Sequence, residues 1–418
     1  MKTIGVVSCC DTKRAEINFV AEVIKTAGHQ ALIIDVSTSA GFLSPGDISR
    51  EEVVAAAGLA WLELEGGPKD VLLEAMAEGA AATLSQLYKD GRIDGTLGLG
   101  GLQNTTIAAR AMRSLPLGVP KLIVSTVACG TRTFDMIVGT KDITVMPSIT
   151  DLAGLNVISE AVLSNAAAAV VGMVQYAGHT VRRTDSVIVG TTLMGATNDG
   201  VVAAAEQLEA AGQQVMCFHS TGVGGQVMED LISDGTIGAA MDLTLHEVVY
   251  EYFGGGFGAG TTDRLASGAR AGIPMVVAPG GIDFICQWRH ELFDDIEERK
   301  MIWHNAQLAH VKLTVAEVRE ISRMIISRLN QATGPVVVLF PTLGLRTFAK
   351  AGEPLHDAEV DAAILREFRE GLREDIPLRL IEASIVDPEF SRAAAEAMAE
   401  LLASDAPSVV AEPAGVTS

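Results

Sequence analysis

At 418 residues the chain is too long for one ordinary core, so two or three domains are expected. A hydrophobic share of 48% with only 5% aromatics puts the apolar mass in Ala, Val, Leu and Ile, which with 42 glycines suits α/β layers joined by tight turns. The formal net charge of −21 argues against a nucleic-acid partner, whose phosphates would be met by Lys and Arg, and fits a freely diffusing protein.

The chain opens on "MKTIGVVSCCDTKRAEINF", whose apolar run reads as a first buried strand with no small-residue cleavage site behind it. Ile17, Val20, Ala21 and Ile24 then follow the i, i+3, i+4, i+7 spacing of one buried helix face, and Gly28 stands where a helix end wants a left-handed residue. Residues 2–35 lie on 186–219 without a gap: Ile17 falls on Val201, Ile24 on Leu208, Ala27-Gly28 on Ala211-Gly212. That register through strand, helix and strand favours an internal duplication over the likeness any two βαβ units share. The echo continues, "RIDGTLGLG" with "ISDGTIGAAMDL" and "GVPKLIVST" with "GIPMVVAPG", after extra helices in the first half between Glu51 and Leu87.

In "DGTLGLGGLQNTTIAARAM" the glycines Gly98, Gly100 and Gly101 separate an apolar strand from a helix expected to start at Asn104 or Thr105. Such a turn serves either tight helix-on-strand packing or a ligand that approaches bare backbone. In the second case amides at the helix start, with the hydroxyls of Thr105 and Thr106, make an anion site. The dinucleotide fingerprint would need glycine at Gln103, and the chain has no Gly-Lys pair for a Walker A loop. Ala161 to Gly178 is apolar but carries Ser164, Asn165 and Gln175, so a buried helix is expected rather than a membrane span, and it is a candidate oligomer interface.

In the second half, Asp283 to Glu320 reads as helical and charged, Gly334 to Gly344 as a buried strand, and Ile381 to Val386 as a last one. The tail from Ser404 has no periodicity and is expected to be disordered. These elements give an α/β protein of two Rossmann-like domains, residues 1–180 and 181–403, each a parallel sheet with helices on both faces. Five cysteines suggest no disulfide framework and a cytoplasmic protein. Cys9, Cys10 and Cys129 each read as small buried residues or activated thiolates.

In open α/β sheets ligands bind beyond the carboxyl ends of the strands. The loops there are small and polar: "SCCDTKR", "DVSTSAG", the glycine turn and "STVACGTRT", then "TTLMGATNDG", "HSTGVGG", "GGGFGAGTTDR" and "APGGIDF". Asp35 closes the second strand, where a carboxylate accepts from ribose hydroxyls or forms a turn. With the later "WHN", this set of turns resembles the largely uncharacterised family of bacterial, fungal and plant proteins typified by the amino-terminal domain of the tomato mosaic virus resistance protein. The resemblance runs to about Phe390 and implies two Rossmann-like domains, ATP bound by the first, and self-association as a homo-oligomer. By that resemblance ATP lies against Asp11, Thr12, Lys13, Asp35, Gly98, Gly100, Gly101 and Ser125, and Mg²⁺ accompanies its phosphates, held through them and water.

Residues for acid–base work gather in the second half. His246 and Glu247, Asp263 and Arg264, Asp283, and His304 with Asn305 form a candidate set for a small polar substrate. Two functional readings follow: an ATP-binding protein with a possible enzyme site in the interdomain cleft, or an enzyme or sensor closing on a sugar acid or similar metabolite.

Overall fold

Short aliphatic stretches whose residues alternate between two covered faces fold into parallel strands, because each face needs a helix to bury it. The computed structural model describes residues 1–128, 135–177, 186–260 and 263–404, and contacts divide the chain into two units, Met1–Arg182 and Arg183–Ser418. Cys129 and, of the tail expected to lack order from Ser404, residues 405–418 lie outside the described residues.

In the first unit β1 (Thr3–Ser8), β2 (Gln30–Asp35), β3 (Gly95–Gly100), β4 (Lys121–Ser125) and β5 (Thr144–Pro147) form one parallel sheet ordered β2-β1-β3-β4-β5. Ile4, Val6, Leu97, Leu99, Leu122 and Val124 point to one face, against Ile17, Val20 and Ile24 and against Leu163, Ala167 and Val170 of the helix Val157–Tyr176. Val7, Ile34 and Ile123 point to the other, against the helices Lys69–Lys89 and Leu102–Arg113. Among the described residues Val157–Tyr176 is the one helix long and apolar enough to cross a membrane; its Leu163, Ala166, Ala167, Val170 and Val174 are buried within the unit.

The second unit repeats this plan. β6 (Ile188–Leu193), β7 (Gln214–His219), β8 (Ala239–Thr244) and β9 (Met275–Gly280) take the places of β1 to β4. Helix Arg14–Thr26 falls residue for residue on Asn198–Ala210, and both Gly28 and Gly212 have positive φ, at 82° and 91°. The duplicated register is therefore a duplicated fold.

After β9 the second unit departs from the expected helical segment. Phe284–Trp288 (β10), Met301–Trp303 (β11) and Leu308–Lys312 (β12) make a separate antiparallel sheet, and the helix begins only at Val315, capped by Thr314 and Glu317. The charges that suggested a helix sit instead in the Arg289–Lys300 connection and at Lys312, the buried last residue of β12. β13 (Val336–Pro341) and β14 (Leu378–Ile381) complete a parallel sheet ordered β14-β13-β9-β8-β6-β7. The last strand ends at Ile381, where the sequence reading had it begin.

Candidate functional site

In an order β2-β1-β3 the chain leaves β1 to one side and enters β3 on the other, so a crevice opens at the carboxyl ends of β1 and β3. The glycine turn stands there, and its three glycines do different things. Gly98 packs the sheet: a Cβ would lie 2.7 Å from the Cβ of Ala108. Gly100 has φ of 149°, and a Cβ would lie 2.5 Å from that of Asn104, which folds back to donate to the Leu99 carbonyl and the Ser8 hydroxyl. Among the described residues a Cβ on Gly101 would meet nothing nearer than Thr126 Oγ1 at 3.6 Å. The helix starts at Leu102, two residues before the sequence reading had it, with Gly101 as N-cap and no side-chain cap. Among the described residues the amides of Leu102 and Gln103 receive no protein acceptor.

Asp35 is fully buried across the crevice. Its Oδ1 accepts from the amides of Cys10 and Ser37 and from the Ser37 hydroxyl, while Oδ2 has no partner among the described residues. Asp11 repeats the pattern: Oδ2 accepts from the Ser39 amide and Oδ1 is buried without a partner among the described residues. Thr12 is exposed beside it. Lys13 donates its amine to the Leu152 carbonyl, and the hydroxyls of Thr105 and Ser125 bond each other at 2.7 Å, bracing β4 against the helix. Thr106 donates to Leu102 one turn back, so its hydroxyl stays on its own helix. Burial, with Asp11 and Asp35 nearby, pushes the Cys9 thiol far up; burial and Asp35 take Cys10 to about 12. Both are neutral small core residues, not thiolates.

The candidate set of the second unit falls into two clusters. Arg264 is fully buried with each nitrogen engaged: Nε donates to Glu247 at 2.6 Å, Nη1 to Glu229 at 2.8 Å and Nη2 to both oxygens of Asp242. Burial opposes its charge, yet Asp242, Glu247 and Glu229 hold its pKa above the usual arginine range. Burial raises Glu229 and Glu247 despite Arg264. Glu229 also accepts from the amides of Leu265 and Ser267, and Glu247 from that of Gly225. With every nitrogen of Arg264 engaged, this cluster pins loops together.

Asp283, His246 and His304 belong to the other cluster, assembled around Phe284. The guanidinium of Arg346 lies 3.9 Å over the Phe284 ring, and His246 stacks on that ring at 4.2 Å and 21°. His310 packs 5.0 Å from Phe284, and His304, exposed, stacks on His310 at 5.0 Å. Burial by itself would raise the Asp283 carboxyl, but Arg346, both of whose carboxylate contacts run from Nε at 3.0 Å, and Lys312 at 2.7 Å hold it well below the usual range. Burial, then Arg346, lowers His310 to about 3. Burial also takes His246 down to about 4, so it is neutral; Nδ1–H donates to the Gly281 carbonyl at 2.7 Å and Nε2 is left as an acceptor. In this cluster His246 Nε2, His310 Nδ1, and Nη1 and Nη2 of the fully buried Arg346 have no partner among the described residues.

Arg346, His310, Lys312 and Phe284 escaped the sequence reading. A signal existed: in "LAHVKL" a strand places His310 and Lys312 on one side, i and i+2, amid aliphatic residues. No group of three or more His, Cys, Asp or Glu side chains fit to hold a metal ion occurs among the described residues.

Two family models span this architecture. The N-terminal domain of the uncharacterised protein family UPF0261 matches residues 2–179, and the C-terminal domain of that family matches residues 186–402. The chain belongs to the UPF0261 family. A UPF0261 protein of Clostridium tetani is 34% identical over 406 residues, 96% of this chain and 99% of that protein. The ToMV resistance protein Tm-1(GCR237) of Solanum lycopersicum is 30% identical over 94% of this chain, which spans 55% of the tomato protein. Among solved structures the Streptomyces sp. SF2575 glycosyltransferase SsfS6, complexed with thymidine diphosphate, is 14% identical over 96% of each chain; its TM-score of 0.19 supports no argument. Membership in UPF0261 therefore rests on sequence, and the Rossmann-like fold on the strand order itself.

Proposed function

We propose that the first unit binds ATP in the crevice between β1 and β3, with the ribose against Asp35 and the phosphates on the amides that open the helix Leu102–Arg113. The observation that carries this is Asp35 Oδ2, a fully buried carboxylate oxygen at the end of β2 with no partner among the described residues. A buried acceptor left empty is costly, and ribose hydroxyls are donors that would fill it. Asp11 Oδ1 is a second such acceptor in the neighbouring turn. Gly101 supports the phosphate end, since nothing among the described residues explains its missing side chain. The choice of ATP among nucleotides, and self-association, come from the family resemblance, and Mg²⁺ would travel with the phosphates.

Calorimetry on the full-length chain with ATP and Mg²⁺ tests this. A ligand at 100 times its Kd stabilises by about 2.7 kcal/mol, which a melting shift reports. Gly101→Ala leaves the melting temperature of the free protein unchanged and weakens ATP at least tenfold; Asp35→Asn also weakens it. Absence of binding at millimolar ATP, or full affinity in Gly101→Ala, would refute the reading.

A further inference from the structure

The Phe284 cluster of the second unit has a feature that the fold does not explain. Arg346 is fully buried, spends Nε on Asp283, and keeps both terminal nitrogens unpartnered among the described residues. Unmet donors on a buried guanidinium are among the costliest polar groups to leave empty. The two Nη groups present the parallel N–H pair that grips a planar carboxylate in a bidentate fork. Asp283 is shared between Arg346 and Lys312, and Lys312 also has Asp361 Oδ1 at 3.9 Å, so the carboxylate that Arg346 meets is divided between two cations.

The second feature is the opposite kind of vacancy. His246 commits Nδ1–H to the Gly281 carbonyl and offers Nε2 as a bare acceptor, which a hydroxyl can donate to and a carboxylate cannot. His246 and Arg346 each lie about van der Waals distance from the centre of the Phe284 ring, so they occupy its opposite faces. One molecule that meets both must pass the edge of the ring, which needs several chain atoms between its carboxylate and its hydroxyl. The cluster lies at the carboxyl ends of β9 and β13: Gly281 and Asp283 follow β9, and Arg346 follows β13. Strand ends of this sort are where open α/β sheets take ligands. Exposed His304, stacked on His310, carries the cluster to the surface.

We propose that the second unit holds a small polyhydroxylated carboxylate, with Arg346 Nη1 and Nη2 on the carboxylate and His246 Nε2 accepting from a hydroxyl several carbons away. The site is separate from the nucleotide crevice, so either reading stands or falls alone.

The test is calorimetry on the full-length chain with gluconate as probe, hexanoate as a carboxylate without hydroxyls, and inorganic phosphate. Gluconate binds, hexanoate binds at least tenfold more weakly, and phosphate does not bind. Arg346→Lys keeps a cation beside Asp283 but loses the fork, and weakens gluconate at least tenfold. Should that variant not fold, the ¹⁵N resonance of His246 Nε2 in the unsubstituted protein supplies the answer, moving when gluconate is added. The proposal is overturned by no gluconate binding, by phosphate binding as well as gluconate, by unchanged affinity in Arg346→Lys, by a static His246 resonance, or by crystals grown with saturating gluconate that show only waters on Nη1 and Nη2.

Discussion

Replacing Arg264 with Met tests how the second unit keeps its acidic interior folded. The substitution preserves an unbranched apolar stem and removes the guanidinium that Glu247, Glu229 and Asp242 share at 2.6 to 3.0 Å. All three carboxylates are at most 2% exposed, so water does not replace the lost donor. Breaking a buried ion pair by deleting one partner costs about 3–5 kcal/mol, which sets the expected loss at pH 8. The loss then depends on pH in a definite direction. Burial already raises Glu229 and Glu247, and without Arg264 their folded pKa rises further. Such groups are uncharged in both states at low pH and lose stability as pH rises through the folded pKa. The deficit therefore shrinks toward pH 5, by about 1.4 kcal/mol per pH unit for each carboxyl protonated only when folded. Urea unfolding in a Trp61→Phe background reads this out, leaving Trp288 and Trp303 as reporters within the second unit. A cost below about 1 kcal/mol, the range of an exposed pair, or a deficit that does not vary with pH would refute the argument.

Other outcomes follow from the same structure. Gly98→Ala drives a Cβ to 2.7 Å from that of Ala108 and should cost about 1–3 kcal/mol by overpacking, whereas Gly101→Ala should melt as the unsubstituted protein does. His246 is buried neutral with its pKa at about 4, against about 6.5 when unfolded; its contribution is intact above about pH 6.5 and is lost as pH falls toward 4. That amounts to about 3 kcal/mol, visible as a flatter acid limb in His246→Gln by urea unfolding at stepped pH. Brief iodoacetamide treatment of the native protein should label exposed Cys217 and spare buried Cys9, Cys10 and Cys286, as peptide mass spectrometry would show; early labelling of Cys9 or Cys10 would contradict the neutral, buried thiols described above.

Much of the fold was legible because its signals are local. Ile17, Val20 and Ile24 declare a helix face within eight residues, Gly28 and Gly212 its end, and the ungapped echo of residues 2–35 in 186–219 the repeated unit. The antiparallel insert was misread because β10, β11 and β12 pair only with one another across charged connections, and charge alternation alone looks helical. The strand-end loops were legible, since turn residues mark them, but not which side chains the fold brings together there. Arg264 belonged to the candidate set for a small polar substrate, yet Glu229, 35 residues earlier in the chain, holds it in an ion-pair cluster.

By itself the sequence determined the parallel layers, their repetition and the loops at the strand ends, because those follow from periodicity and turn chemistry over a few residues. Tertiary structure alone decided which polar groups are left wanting. Asp283 meets Arg346 from 63 residues away, and Lys312 from 29, so the balance that leaves the Arg346 fork open exists only once β9, β12 and β13 have packed. A charge in a sequence has no partner until the fold supplies one, and burial is what makes the absence of a partner matter.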